Sequence, residues 1–145
     1  MIFNSLNDGS IPTVGFATFT NRSGGTISAN YPGCITTTSG SADGTQLVAP
    51  AANNHTFAGI ADQDLADATA GRFQTYGYRD SVRIYAVGTS KTCLPGEAMG
   101  TAGASNGVNS TGLKSLTGPV LAMEQVGAAI CSPGGFAKGY IKALG

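Results

Sequence analysis

Few residues in this chain could make or break a bond, and they do not fall into a catalytic pattern. His55 is the only histidine, so any Ser-His-Asp or Cys-His relay would have to run through it. It stands in NNHT (residues 53–56), with no G-x-S-x-G elbow and no cysteine-protease signature. An exposed loop or edge-strand histidine is the expectation. Asp62, Asp64 and Asp67 form the densest carboxylate group. A calcium loop needs D-x-[DN]-x-[DN]-G and a closing Glu. Here Leu65 and Ala66 follow Asp64, so turn chemistry is the simpler role. Glu97 and Glu124 are the only glutamates, and nothing in their spacing brings them together as a glycosidase pair. Cys34, Cys93 and Cys131 lie far apart without a C-x-x-C pair, which is not zinc-ligand spacing. The glycine-rich run at 100–107 has neither a Walker pattern nor a GxGxxG opening a helix. Tyr76, Tyr78 and Tyr85 could form an aromatic platform for sugar or single-stranded nucleic acid, although cross-strand packing is the commoner use. These residues point away from an enzyme and require no cofactor and no metal.

Composition bounds the partners. The 145 residues suit one domain, large enough to fold without disulfide staples. Only 11% are charged, and 8 basic residues balance 8 acidic ones, so no basic excess marks a nucleic-acid partner. A neutral Gly/Ala/Thr surface suits a protein packed against neighbours. An odd number of scattered cysteines fits reduced, partly buried thiols. MIFNSLNDGS lacks the basic and apolar regions of a secretion signal, and no run is apolar enough for a membrane span.

The elements that would position such residues are short strands. Residues 57–61 (FAGIA), 72–79 and 81–87 read as strand, turn, strand, turn, strand, rich in Phe, Tyr, Ile and Val. Between them, Asp62 could cap a single helical turn ending before Gly71. Further strands are expected at 34–38 (CITTT), 46–48 (QLV), 119–126 (PVLAMEQV) and 135–144. In the last, Ala137, Gly139, Ile141 and Ala143 share one face, and Phe136, Lys138, Tyr140 and Lys142 the other. Pro32-Gly33 and Pro95-Gly96 read as turns, and the polar stretch 100–112 as a loop. Residues 1–30 read as an N-terminal arm with a short strand near Val14 and Phe16, and 31–145 as a single β-barrel domain. Ile2, Phe3 and Leu6 are the arm's candidate partner-binding anchors. The expected fold class is all-β: a small β-barrel or sandwich of the tulip or jelly-roll kind, with long Gly/Ser loops.

There is also an internal echo. Pro32-Gly33 and Pro95-Gly96 are 63 residues apart (95 − 32), as are Gly71 and Gly134, and Phe73 and Phe136. Two similar β-motifs folded against each other would explain it.

The order of these segments resembles the tailed-bacteriophage capsid decoration proteins, also called cement proteins. The likeness spans roughly residues 31–144 and rests on FAGIA (57–61), GRFQTYG (71–77), LPGEA (94–98) and PVLAMEQVG (119–127). It implies a small β-barrel, commonly trimeric, seated on the outer capsid surface of a virion assembled in the host cytoplasm. The partner would be the major capsid protein, with no nucleic acid and no membrane involved. Such a protein bridges neighbouring capsid subunits and stabilises the shell, its terminal arms often making the bridging contacts. Apolar burial and backbone pairing at many symmetric sites would suffice, without a reactive side chain. The competing expectation is a receptor- or carbohydrate-binding β-sandwich module of a phage tail or surface protein, reading glycans with Tyr76, Tyr78 and Tyr85. An all-β enzyme built on His55 or the aspartates ranks third.

Overall fold

The computed structural model describes residues 14–36, 44–49, 56–84, 92, 94–102, 107–110, 119–127 and 135–143, with the side chains of 101–102 and 107–110 not described. Over these residues the protein is all-β and sandwich-like, with no helix among them. The described strands are β1 (Gly15–Asn21), β2 (Pro32–Ile35), β3 (Gln46–Val48), β4 (Phe57–Ala61), β5 (Ala70–Ile84), β6 (Ala98–Ala102), β7 (Gly107–Ser110), β8 (Val120–Ala122) and β9 (Gly135–Lys142).

Hydrogen bonding follows the order β1-β3-β2-β4-β5-β7-β6-β8-β9 and closes on itself twice, through β1–β5 and β5–β9. Two five-stranded circuits therefore share β5. The N-terminal lobe is β1-β3-β2-β4-β5, and the C-terminal lobe is β5-β7-β6-β8-β9. In each, the first two strands in that order are parallel and the remaining neighbours are antiparallel, including the closing pair. Every described strand thus has a hydrogen-bonded neighbour on both sides, although the parallel contacts are short: β1 meets β3 at Thr20 and Asn21, and β5 meets β7 at Ile84.

The lobes match in their backbone bonds. In the first, the Ala61 N–H donates to Tyr31 O (2.9 Å) and the Asn30 N–H to Ala61 O (2.9 Å). In the second, the Ala122 N–H donates to Glu97 O (2.9 Å) and the Gly96 N–H to Ala122 O (2.8 Å). Asn30 and Gly96 both have positive φ, 70° and 83°. The Asp62 N–H bonds Arg72 O at 3.0 Å, and the Met123 N–H bonds Lys138 O at 3.0 Å. The duplication is real, but its register is not the 63-residue echo. Equivalent residues lie 66 apart around the first turn (96 − 30) and along the last strand (138 − 72), and 61 apart along the third (122 − 61). Phe73 is buried in the core while Phe136 is exposed, so that pair is not equivalent.

Two apolar clusters fill the lobes. One is Phe19, Ile27, Leu47, Ala58, Ala61, Leu65 and Phe73, with Phe73 meeting Phe19 edge-on at 5.8 Å. The other gathers Val82, Ile84, Met99, Val120, Ala122, Val126, Ala137 and Ile141 around Phe57 and Ile60. All five residues of β4 are buried because the strand lies between the clusters. The short strand expected near Val14 and Phe16 is β1, which pairs with β5 and supplies Phe19 to the N-terminal cluster.

Several local expectations change. Pro32-Gly33 is the start of β2 and not a turn; the turn lies just before it, where the Tyr31 N–H bonds Ser28 O at 3.1 Å. Glycine at 33 leaves room for the neighbouring side chains, since a Cβ there would sit 2.7 Å from Leu47 Cδ1 and 2.9 Å from Phe73 Cε1 and would force them to shift. Residues 72–79 and 81–87 are not two strands: β5 runs unbroken through Asp80 and Ser81, and its register against β9 shifts between Arg79 and Val82. A bulge absorbs the polar pair that read as a turn. The stretch 100–112 holds the end of β6 and all of β7, which pair with each other. The segment after Asp62 forms a turn and a bridge from Leu65 to Ile27 instead of a helical turn.

Candidate interaction surface

The carboxylates are committed to holding the N-terminal lobe together. Asp62 accepts from Arg72 Nη2 at 2.6 Å and Nε at 3.1 Å, and from Arg79 Nη1 at 3.4 Å. These partners, the Arg72 hydrogen bond foremost, hold its carboxyl below the usual value of 3.8. Asp64 accepts from the Ala29 N–H at 2.7 Å, and Asp67 from the Gly24 N–H at 3.0 Å. Asp64 and Asp67 thus fasten the 22–30 loop, where Asn21, fully buried, donates from Nδ2 to Gly25 O (2.7 Å) and Leu65 O (2.8 Å). Glu97 is buried beside the turn at Leu94, while Glu124 lies at the surface, 3.9 Å from Lys138 Nζ. Cys34 is fully buried in β2.

Arg79 is the hub of the molecule. Its guanidinium donates to Asn30 Oδ1 (3.0 and 2.8 Å), Ala61 O (3.0 Å), Gln74 Oε1 (3.1 Å), Ser81 O (3.2 Å) and Asp62 Oδ1 (3.4 Å). The side chain is only 12% exposed. It ties the middle of β5 to the turn before β2 and the end of β4.

The outer face of β1, β5 and β9 carries the exposed aromatic surface. Strand alternation places Phe16 of β1 outward, opposite Gln74 of β5, and the Arg72 guanidinium lies 4.3 Å from the Phe16 ring centroid. Farther along β5, Tyr76 meets Tyr140 of β9 edge-on at 5.5 Å and 79°. Hydrogen bonding between their hydroxyls, helped by burial, pushes the Tyr140 phenol up to about 12. Tyr78, opposite Tyr140 in the register, donates to Asp80 Oδ1 at 2.8 Å, and that bond raises its own phenol above 10.0. At the other end of β9, Phe136 meets Tyr31 at 6.3 Å, and the Arg83 guanidinium lies 5.4 Å from the Phe136 ring and 5.2 Å from the Tyr31 ring. Phe16 (40%), Tyr76 (41%) and Phe136 (45%) are the large apolar and aromatic side chains most open to solvent along these strands, and Val14, just before β1, is 41% exposed. Isolated exposed apolar residues are ordinary, whereas grouped ones mark contact surfaces.

Of the tyrosines considered from sequence, Tyr76 and Tyr78 are thus used in contacts on this face. Tyr85, His55, Cys93, Cys131 and the anchors Ile2, Phe3 and Leu6 lie outside the described residues. Sequence reading missed Tyr140 and Phe16 as parts of one surface. The outward face of the last strand named Tyr140, but only the β5–β9 register brings it to Tyr76.

No protein-family model and no curated protein matches the chain. Among solved structures, the head fiber gp8.5 N base of bacteriophage phi29 is similar at 13% identity and a TM-score of 0.49, over 90% of this chain and 96% of that one. Neither value is high enough to carry a functional argument.

Proposed function

We propose that this chain is a structural virion protein that binds the outside of a tailed-phage capsid, bridges major capsid subunits and stabilises the shell, without catalysing a reaction. Support comes first from the segment order that resembles the decoration proteins. The observation that carries the proposal is the aromatic outer face of β1, β5 and β9, where Phe16, opposite Gln74, is followed along β5 by the Tyr76–Tyr140 pair, with Phe16 and Tyr76 both exposed. Among the described residues β1 pairs with β3 only at Thr20 and Asn21, so a partner would be held through the side chains of this face and through the remaining edge of β1. Ile2, Phe3 and Leu6, which precede β1 in the sequence, are the proposed anchors of an arm that adds to this contact. A contact burying about 1,000 Å² or more is specific on its own. A trimer engaging three equivalent sites would gain further through effective concentration.

The test is co-sedimentation of purified protein with undecorated capsids, together with its oligomeric state by size exclusion and native mass spectrometry. Trimers that sediment with capsids, and lose that ability in the Phe16→Ser/Tyr76→Ser variant, are the expected result. A folded monomer indifferent to shells would refute the proposal. His55→Ala should leave capsid binding unchanged.

The exposed Tyr76 beside Tyr140 favours one second reading, a receptor- or carbohydrate-binding module. Glycan-array binding lost in Tyr76→Ala, without capsid binding, would select it.

A further inference from the structure

The two lobes are alike in topology but unequal in how their cores are supplied. Among the described residues, the N-terminal cluster, from Phe19 to Phe73, draws no side chain from the C-terminal lobe, and the partly buried residues against it are Ala17, Tyr31 and Ile35. The C-terminal cluster depends on Phe57 and Ile60, both from β4 of the N-terminal lobe. Arg79 reinforces this asymmetry. Its bonds to Asn30, Asp62, Ala61 and Gln74 anchor the middle of β5 to the first lobe, and only Ser81 lies beyond.

From this we infer that the fold contains a one-way conformational dependence: the C-terminal lobe can open while the N-terminal lobe stays folded, but not the reverse. Opening β6, β8 and β9 exposes one face of β4 and leaves the N-terminal cluster complete. Opening the N-terminal lobe removes Phe57 and Ile60 from the other core and frees the β5 segment on which β9 pairs, from Tyr76 to Arg79. Cooperative units of unequal stability are what native-state hydrogen exchange resolves.

The experiment is hydrogen exchange by mass spectrometry on the full-length protein, comparing wild type with Met99→Ala and Phe73→Ala. Truncating a fully buried methionine in the C-terminal core should accelerate exchange in β6, β8 and β9 by roughly thirtyfold or more. Amides of β1 and β3 should keep their wild-type protection. Phe73→Ala should accelerate exchange in both lobes. If Met99→Ala raises β1 and β3 exchange as much as β9 exchange, the protein is one cooperative unit and the inference fails. It also fails if Phe73→Ala opens the first lobe while the second stays protected. Should either variant not fold, wild-type exchange in sub-denaturing urea decides instead. The β6 and β8 amides should then open before those of β1 and β3, and a single merged transition would overturn the inference.

Discussion

Replacing Arg79 with alanine removes the one side chain that bonds the turn before β2, the end of β4 and the middle of β5 at once. Six donor–acceptor contacts are lost, to Asn30 (two), Ala61, Gln74, Ser81 and Asp62. The acceptors do not all reach water afterwards: Gln74 is 3% exposed, while the buried Ala61 carbonyl keeps only the Asn30 N–H. Breaking a buried charged network from one side costs about 3–5 kcal/mol, and each orphaned acceptor about 1–3 kcal/mol. Partial entry of water into the vacated space argues for the lower end, about 3–4 kcal/mol in total. For a domain of this size that corresponds to a fall in Tm of roughly 10 °C. Arg79→Lys should recover less than half of the loss, because one ammonium cannot reach acceptors spread around a planar fork. Asp62→Asn is the control. Its carboxylate is 29% exposed, and its closest partner, Arg72, is 60% exposed, so the change should cost about 1 kcal/mol or less. Urea unfolding followed by circular dichroism measures all three. An Arg79→Ala loss below about 1 kcal/mol at unchanged m-value would show that the hub is incidental.

Three further outcomes are expected. The Asp62 carboxyl is held below 3.8 by the Arg72 hydrogen bond and by Arg79, so its stabilisation is present above that value and is lost as pH falls through the lower folded value; acid unfolding of Asp62→Asn should be measurably less steep in that range, and identical curves would remove the pairing as a source of stability. The Tyr140 phenol is raised to about 12 by Tyr76, so its contribution is complete below the unfolded value of 10.0 and disappears as pH climbs through 12; in a tyrosinate absorbance titration, Tyr76→Phe should bring Tyr140 down toward 10.0, and an unmoved curve would deny the contact. A Cβ at Gly59 would lie 2.6 Å from the carbonyl oxygen of Gln74, whereas one at Gly100 meets nothing within 4 Å; Gly59→Ala should therefore cost about 1–3 kcal/mol by forcing β4 and β5 apart, and Gly100→Ala should be near neutral, both read by thermal unfolding.

Legibility in the sequence followed how local each cause is. The runs 46–48 and 57–61 and the face of Ala137, Gly139 and Ile141 were readable because apolar content or alternation by two suffices to define a strand. The turn at Leu94 was readable because Pro-Gly has the needed backbone preferences. Pro32-Gly33 carries the same dipeptide into a strand, since Gly33 answers to Leu47 and Phe73, which are distant in sequence. Asp80-Ser81 looks like punctuation, yet the strand continues because β9 pairs on both sides of the bulge. β7 has no apolar alternation to announce it, and its partners alone define it. The candidate surface was visible residue by residue but not as a surface. Tyr76 and Tyr140 stand 64 apart (140 − 76), and their meeting depends on a register set by that bulge.

The duplication explains why an echo could be sensed without its register being found. Its two spacings, 66 and 61, bracket the 63 that aligned glycines suggest, so no single offset superposes both halves. What the lobes share is what the backbone demands. Asn30 and Gly96 are residues that tolerate a positive φ, and Ala61 and Ala122 are small residues between two carbonyl-bonded turns. Cations at equivalent positions, Arg72 and Lys138, each pair with an acid in the neighbouring turn, Asp62 and Glu124. Outward side chains answer to no such demand, and they differ: Arg72 carries Phe16 in one lobe, while Lys138 lies between Phe136 and Tyr140 along β9 in the other. A framework with every described strand paired leaves its outer faces free to diverge at little cost to the fold. The aromatic side chains of β1, β5 and β9 are accordingly a property of the outer face and not of the framework beneath it.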